Sequence, residues 1–419
     1  MMNQISAKYI FNIFSGSTPE SGQAFFWDGE HNWFTPDDLG KIGNKIYVNE
    51  SNRKITDEGV ENANLRFGKA NSIIITKRAP IGNLAITTFP SSCNQGCFIL
   101  EQKFSEINIK YYYYYFLIQK YQLNLLGRGS TFLELNADEM KSYKAPLPSL
   151  NQQNKIVDYL DNEVAKIDAL IEKKTQLIFI LDEKKKAVIN QAVTKGLDPN
   201  VSRKDSGIEW LGDIPKHWEV VKLKYLSKGI ETGSTPNGYD IPLNDDEDIY
   251  NWFTPGDFGE DYNKVYESKR KLSYEVVENS GIRLYDPNSV MFVGIGATLG
   301  KVAVTHAKFY TNQQLNIIEL KDNVNKIFIA FSLSALINVS KMMANSATLP
   351  ILNQQKLGDI QIPIPKLEEQ NLLVEHLEKI FDNHSNVVSK ISNSIKLLQE
   401  KRTAIISAAI NGELNASIS

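Results

Sequence analysis

At 419 residues the chain is too long for one hydrophobic core, so two or more domains are expected. With 42% hydrophobic and 23% charged residues, no apolar run of membrane length and no export-signal start, it reads as a cytoplasmic globular protein without membrane attachment. Two cysteines exclude a disulfide framework, and a net charge of −3 excludes a uniformly basic nucleic-acid clamp; basic groups would have to be local, or shared with another subunit.

Residues 1–150 read as a first globular domain. Its short apolar runs, such as 72–76, are expected strands between Gly, Pro and Asn turns, and the unbroken aromatic stretch 111–126 is an expected helix. Tyr111 to Tyr115 are five consecutive tyrosines, which on a helix point in five directions, so packing and not base stacking is expected of them. Cys93 and Cys97 have no neighbouring His and are expected to pack, not to bind metal.

Residues 151–195 contain no Pro or Gly before position 196. Alternating steps of four and three pick out Leu160, Val164, Ile167, Ile171, Lys174, Ile178, Leu181, Lys185, Val188 and Ala192, of which eight of ten are apolar. This spacing predicts a helix with one narrow apolar seam, about 50 Å long, which a second helix must cover. A loop-rich linker follows at 196–221, then a second globule at 222–366 and a second seam at 367–411, with a tail at 412–419. The second seam runs Leu377, Phe381, His384, Val388, Ile391, Ile395, Leu398, Arg402, Ile405 and Ala409, an offset of 217 residues from the first. Antiparallel packing of the two seams places a globule at each end of a rigid spacer. In full overlap, Leu160 meets Ala409, Ile167 meets Arg402 and Lys185 meets His384. The long side chains of Lys185 and Arg402 are then expected to bend their charges into water.

The offset extends through the globules, so the chain is a duplicate. Gly16-Ser17-Thr18-Pro19 answers to Gly233-Ser234-Thr235-Pro236, and NWFTPDDLG (32–40) to NWFTPGDFG (251–259). Gly82 answers to Gly300, Asn94-Gln95 to Asn312-Gln313, and the proline pair Pro146 and Pro148 to Pro363 and Pro365. The expected fold class is therefore α/β, more strictly α+β: two mixed domains with an internal pseudo-two-fold repeat and a pair of long antiparallel helices.

No catalytic constellation is found. Gly294 to Lys301 fails the spacing of a phosphate loop, with Ile295 where a glycine is required, and reads as a turn between strands. Pro36-Asp37 and Glu101-Gln102-Lys103 have elements of a metal-dependent nuclease, but the second copy has Gly256 in place of Asp37 and no matching Glu-x-Lys.

Two related globules on a rigid spacer suit a linear object with a repeat, and duplex DNA supplies one every 34–36 Å. The chain closely resembles the specificity subunit of type I restriction–modification systems. The resemblance rests on the GSTP turns, the WFTP-x-D-x-G strings, Arg78-Ala79-Pro80-Ile81-Gly82, and Pro146-Leu147-Pro148-Ser149-Leu150 with Gln153. It also rests on Pro363-Ile364-Pro365-Lys366-Leu367 with Gln370, and on GIEWLGDIPKHWEV (207–220). It covers essentially the whole length. One departure is that the first copy has no counterpart of 207–218; the tail after Ala409 is a candidate to cover that edge. The resemblance implies a non-catalytic subunit in which each globule is a target-recognition domain reading half of a bipartite, asymmetric site in double-stranded DNA. The spacer would dock two methyltransferase subunits and, through them, restriction subunits. No cofactor is expected on this chain; S-adenosylmethionine, ATP and magnesium would belong to those partners. The competing readings are a stand-alone nuclease or methyltransferase, which would act without partners, and a structural coiled-coil adaptor.

Candidate DNA contacts are turn residues with donors: Ser17, Thr18, Trp33, Thr35, Lys77, Arg78, Arg128, Ser130 and Thr131 in the first copy. In the second they are Ser234, Thr235, Trp252, Thr254, Thr298, Lys301, Asn345 and Ser346. Core packing stands beside DNA contact as a reading of Trp33 and Trp252, and turn formation beside phosphate contact for the Ser and Thr of the GSTP turns. Asp38 and Asp257 are expected to orient a loop. Ile75-Thr76-Lys77-Arg78 aligns with Val293-Gly294-Ile295-Gly296, so the first copy alone carries two cations there. The planar fork of Arg78 suits guanine O6 and N7, while Lys77 suits phosphate; the other reading of Arg78 is a brace for its own turn.

Overall fold

The computed structural model describes residues 4–128, 133–237, 249–259, 263–336 and 351–414. The chain forms two compact units, Met1–Gln176 with Ile391–Ser419, and Leu177–Lys390. Each unit contains one globule and part of each long helix.

The first unit is built on a five-stranded sheet in the order Phe11–Ser15, Cys97–Gln102, Ile73–Thr76, Leu84–Thr87, Tyr47–Val48. All its neighbours are antiparallel except the last pair. Ile73, Ile74 and Ile75 are buried on both faces, and such a β-branched run is at home in a central strand. A three-stranded sheet sets Trp27–Phe34 between Lys54–Ile55 and Ser92–Cys93. The second unit repeats this wiring. Its larger sheet runs Ser227–Thr232, Leu315–Leu320, Ser289–Val293, Val302–Val304, Asn263–Lys264, and its smaller sheet sets Ile249–Phe253 between Lys271–Ser273 and Tyr310–Thr311. The parallel pairs fall at the same places in both. The expected strand at 72–76 is the central strand of the first larger sheet, and Ser289–Val293 takes the same place in the second.

The aromatic stretch forms two helices, Ile109–Ile118 and Lys120–Leu125, broken at Gln119. All five tyrosines are buried. Three of their hydroxyls fasten the helix to its surroundings: Tyr112 and Tyr115 donate to the carbonyls of Pro146 and Lys144, and Tyr114 to Asp161. Cys93 and Cys97 are free, buried thiols, and burial pushes that of Cys93 up to about 12.

The long helices span Leu150–Lys195 and Leu367–Ile410. Each begins on a buried glutamine that ties the proline pair to the globule. Gln153 donates to the Pro148 carbonyl and accepts from the Asn108 amide; Gln370 does the same with Pro365 and Asn325. Every expected seam position is buried or half-buried, with exposed residues on the outer faces. In the first unit, Leu160, Val164 and Ile167 are buried, Leu160 and Val164 in one core with Ile406, Ala409 and Ile410. In the second, Leu377 joins Ile189, Ala192 and Val193, with Val188 and Phe381 packed beside them. The helix segments run antiparallel: in the second unit Asp182 meets His384, and Gly196 faces Glu369. Towards the middle of the seams, Ile171, Ile178, Leu181, Val388, Ile395 and Leu398 are half-buried, while Ile391 is buried.

The seam cations differ from expectation. Arg402 does not reach water: only 9% exposed, its Nε lies 3.0 Å from Asp168 Oδ1, one residue from the expected Ile167. Lys185 is likewise covered, over the Phe381 ring, and it and His384 share Asp182 at 3.8 and 3.0 Å.

The linker folds onto the second unit, pairing Arg203–Asp205 with Asp213–Pro215 and burying Leu211, Ile214 and Trp218 in its core. On the first unit Ile410 is buried and Leu414 packs against the same core. Among the described residues, no helix is long and apolar enough to cross a membrane.

Candidate nucleic-acid interface

The GSTP turns are held by the tryptophans. Trp33 donates from Nε1 to the Ser17 carbonyl at 2.9 Å, and Trp252 donates likewise to Ser234 at 3.4 Å. Both indoles are buried, at 4% and 3% exposure. Both indoles thus act as staples of their turns, in line with the core-packing reading, each with its one ring donor spent on a backbone carbonyl. Each turn is pressed onto a strand end, since a Cβ on Gly16 would lie 1.6 Å from the Cys93 carbonyl oxygen and one on Gly233 2.4 Å from that of Thr311. Thr18 and Thr235 donate to Gln95 and Gln313. Ser17 is half-buried and Ser234 exposed.

Thr35 and Thr254 cap the turns that follow. Their amides and hydroxyls donate to Asp38 and Asp257, whose other oxygens accept from Asn52 N and Lys269 N. The two aspartates thus orient loops, as expected, and the threonine hydroxyls are spent inside the caps.

The cations of the first copy converge on residues that the sequence kept far apart. Lys77 Nζ and Arg78 Nε bind the two oxygens of Glu134 at 2.8 and 2.9 Å, and Arg128 Nε binds Glu139 at 2.7 Å. The hydrogen bond from Lys77, backed by that from Arg78, holds the Glu134 carboxyl below its usual value. The Lys77 side chain is only 13% exposed and is turned onto Glu134. Arg78 is 44% exposed and is engaged through Nε, the geometry that leaves the two terminal nitrogens of the fork for a bidentate contact. Arg128 is the most exposed, at 80%. Ser130, Thr131, Asn345 and Ser346 lie outside the described residues.

In the second copy Thr298 and Lys301 sit half-buried on the turn after Ser289–Val293, with the Lys301 amide donating to the Thr298 carbonyl. Backbone bridges pair Arg78 with Glu134 and Ile295 with Ile351, so the expected alignment of the repeats is corrected here by one residue. Arg78 answers to Ile295 and Lys77 to Gly294, and the amides and carbonyls of Lys77 and Gly294 make matching bonds in the two units. Sequence reasoning missed Glu134. A signal was present: aligned at 217, the partners Arg78 and Glu134 change together to Ile295 and Ile351.

One framework is built twice, with matched loops carrying different side chains. The type I restriction modification DNA specificity domain matches residues 3–178 and again 215–397, and the chain belongs to that family. It is 28% identical to the type I restriction enzyme MjaIX specificity subunit of Methanocaldococcus jannaschii, over 97% of this chain and 92% of that one. It is 24% identical to the EcoprrI specificity subunit of Escherichia coli, over 95% and 92%. A chain solved in a study of complex assembly and conformational transition of the type I R-M system superposes with a TM-score of 0.73 over 98% of both chains; at 16% identity, this shows a shared fold.

Proposed function

We propose that this chain is the DNA-reading, non-catalytic subunit of a type I restriction–modification complex. Each unit reads one half of a bipartite, asymmetric duplex target, and the long helices dock two methyltransferase subunits and, through them, restriction subunits. S-adenosylmethionine, ATP and magnesium act in those partners, in the cytoplasm. The observation that carries this reading is the contrast at matched positions, where an identical bridge holds Arg78 and Glu134 in one unit and Ile295 and Ile351 in the other. A fold requirement would have kept them alike, whereas two different half-sites require them to differ.

The test is adenine-methylation mapping in a host expressing the full chain with its methyltransferase partner. A split motif with two unlike halves is expected; a continuous motif, or methylation by the chain alone, would refute the proposal. Arg78→Ala should cost about 1–3 kcal/mol at one base pair of the first half-site and relax discrimination there. Lys77→Ala should loosen the same position, because it frees Glu134 and with it Arg78. An unchanged motif with lowered thermal stability alone would show that Arg78 only braces its turn.

Residues 1–200 alone should form an antiparallel homodimer. Ile189, Ala192 and Val193 occupy the repeat positions of Ile406, Ala409 and Ile410, so a second copy can complete the first core. A well-folded monomer in sedimentation would count against the duplication as the basis of the architecture.

A further inference from the structure

The place that holds a charged cluster in the first unit holds an uncharged one in the second. Around Ile295 and Ile351 lies a recess of about 290 Å³ lined by carboxamides, among them Gln313, Gln314, Asn316 and Gln354. The direction of its hydrogen bonds can be worked out from one end. The Leu352 carbonyl can only accept, so Asn316, which lies 3.1 Å away and is buried, presents Nδ2 to it and keeps Oδ1 for another partner. That oxygen accepts the Thr232 hydroxyl at 3.0 Å. The Thr232 oxygen, having donated its only proton, accepts from Gln354 Nε2 at 2.8 Å.

The chain of bonds therefore sets which way the exposed Gln354 amide faces. One N–H is committed to Thr232, and the second N–H and Oε1 remain as an adjacent donor and acceptor. Adenine presents the matching pair in the major groove, the N7 acceptor beside the N6 donor. Ile295 is half-buried and Ile351 is 37% exposed in the same recess, and such apolar groups suit the C5-methyl of the paired thymine. The surroundings are shaped to this network. A Cβ on Gly294 would sit 2.3 Å from Asn316 Nδ2, so the position occupied by Lys77 in the first copy must be glycine here. Resting on the DNA-reading role above, we propose that the second unit reads an A·T base pair of its half-site through Gln354, with Ile295 and Ile351 receiving the thymine methyl.

Methylation profiling of the complex of the full chain with its methyltransferase partner tests this with an internal control, since the first half-site reports folding and assembly. If the unaltered chain yields no split motif, the DNA-reading role itself fails, whatever the variants do. Given a split motif, Gln354→Leu should relax one A·T position of the second half by about tenfold or more and leave the first half unchanged. Gln354→Glu, which accepts but cannot donate, should move the preference at that position towards C·G. A second half unchanged in both variants, or relaxation at a G·C position, would overturn the proposal. If Gln354→Leu abolishes methylation, Gln354→Glu decides: retention of the A·T preference overturns the proposal, and its loss with an intact first half supports it.

Discussion

Replacing Trp218 by alanine should lower the stability of the second unit by about 3–5 kcal/mol, the usual cost of removing a fully buried tryptophan. The indole is 0% exposed, packs edge-on to Phe328 with ring centroids 6.4 Å apart, and donates from Nε1 to Glu369 Oε1 at 3.0 Å. Truncation leaves both a void and a carboxylate oxygen without its partner, while the other oxygen still holds His217 at 2.8 Å. At roughly 2–4 °C per kcal/mol for a unit of this size, calorimetry should show a clear fall in the melting of the second unit. Trp218 belongs to the linker text that the first copy does not repeat, so the first unit should melt as before. A loss shared equally by both units, or a shift below about 2 °C, would show that the linker only skirts the core.

Asp168→Ala should be nearly as severe. The Arg402 guanidinium is held at two points, Nε at 3.0 Å and Nη2 at 3.4 Å, and the Asn44 amide donates to the same carboxylate. Removing the acid strands a buried cation, at a cost of about 3–5 kcal/mol. Asp168→Leu combined with Arg402→Leu should recover most of that loss, because two apolar side chains on a seam need no counter-charge. Urea denaturation of the single and double variants gives the coupling directly. Strictly additive losses would mean that Arg402 finds its stabilisation elsewhere.

Both results bear on how the recognition surfaces are supported. Asp168 and Arg402 lie on the long helices beneath the globule that carries Arg78, and Trp218 and Glu369 lie where the second globule meets its helix. A reading side chain placed to within a fraction of an ångström needs such a rigid base. Variants at these positions should therefore lower stability without altering which bases are preferred, unlike those at Arg78.

Much of this architecture is written locally and periodically in the chain. The duplication is visible because matched strings recur in order at one offset, and the seams because an apolar residue every three or four positions has only one helical solution. The proline pairs mark where each long helix begins, as proline must stand outside a helix interior. Packing of the five tyrosines follows from helix geometry alone. The candidate interface was only partly visible. Trp33 and Trp252 stand in polar strings and look available, but the fold turns both indoles inward and spends their donors on the GSTP turns. Lys77 and Arg78 look like two free cations until Glu134, 56 residues away, is brought across a backbone bridge to bind both. Arg402 looks like a charge bound for water until Asp168, on the other long helix, comes within reach, and Lys185 until the Phe381 ring covers it. What the sequence by itself determined is thus whatever depends on neighbours along the chain: repeat, period, helix starts and the class of fold. What only the tertiary structure decided is which charges are paired and which donors are spent. Pairing is a property of distance in space, and a few ångströms of approach change an exposed contact into a buried brace.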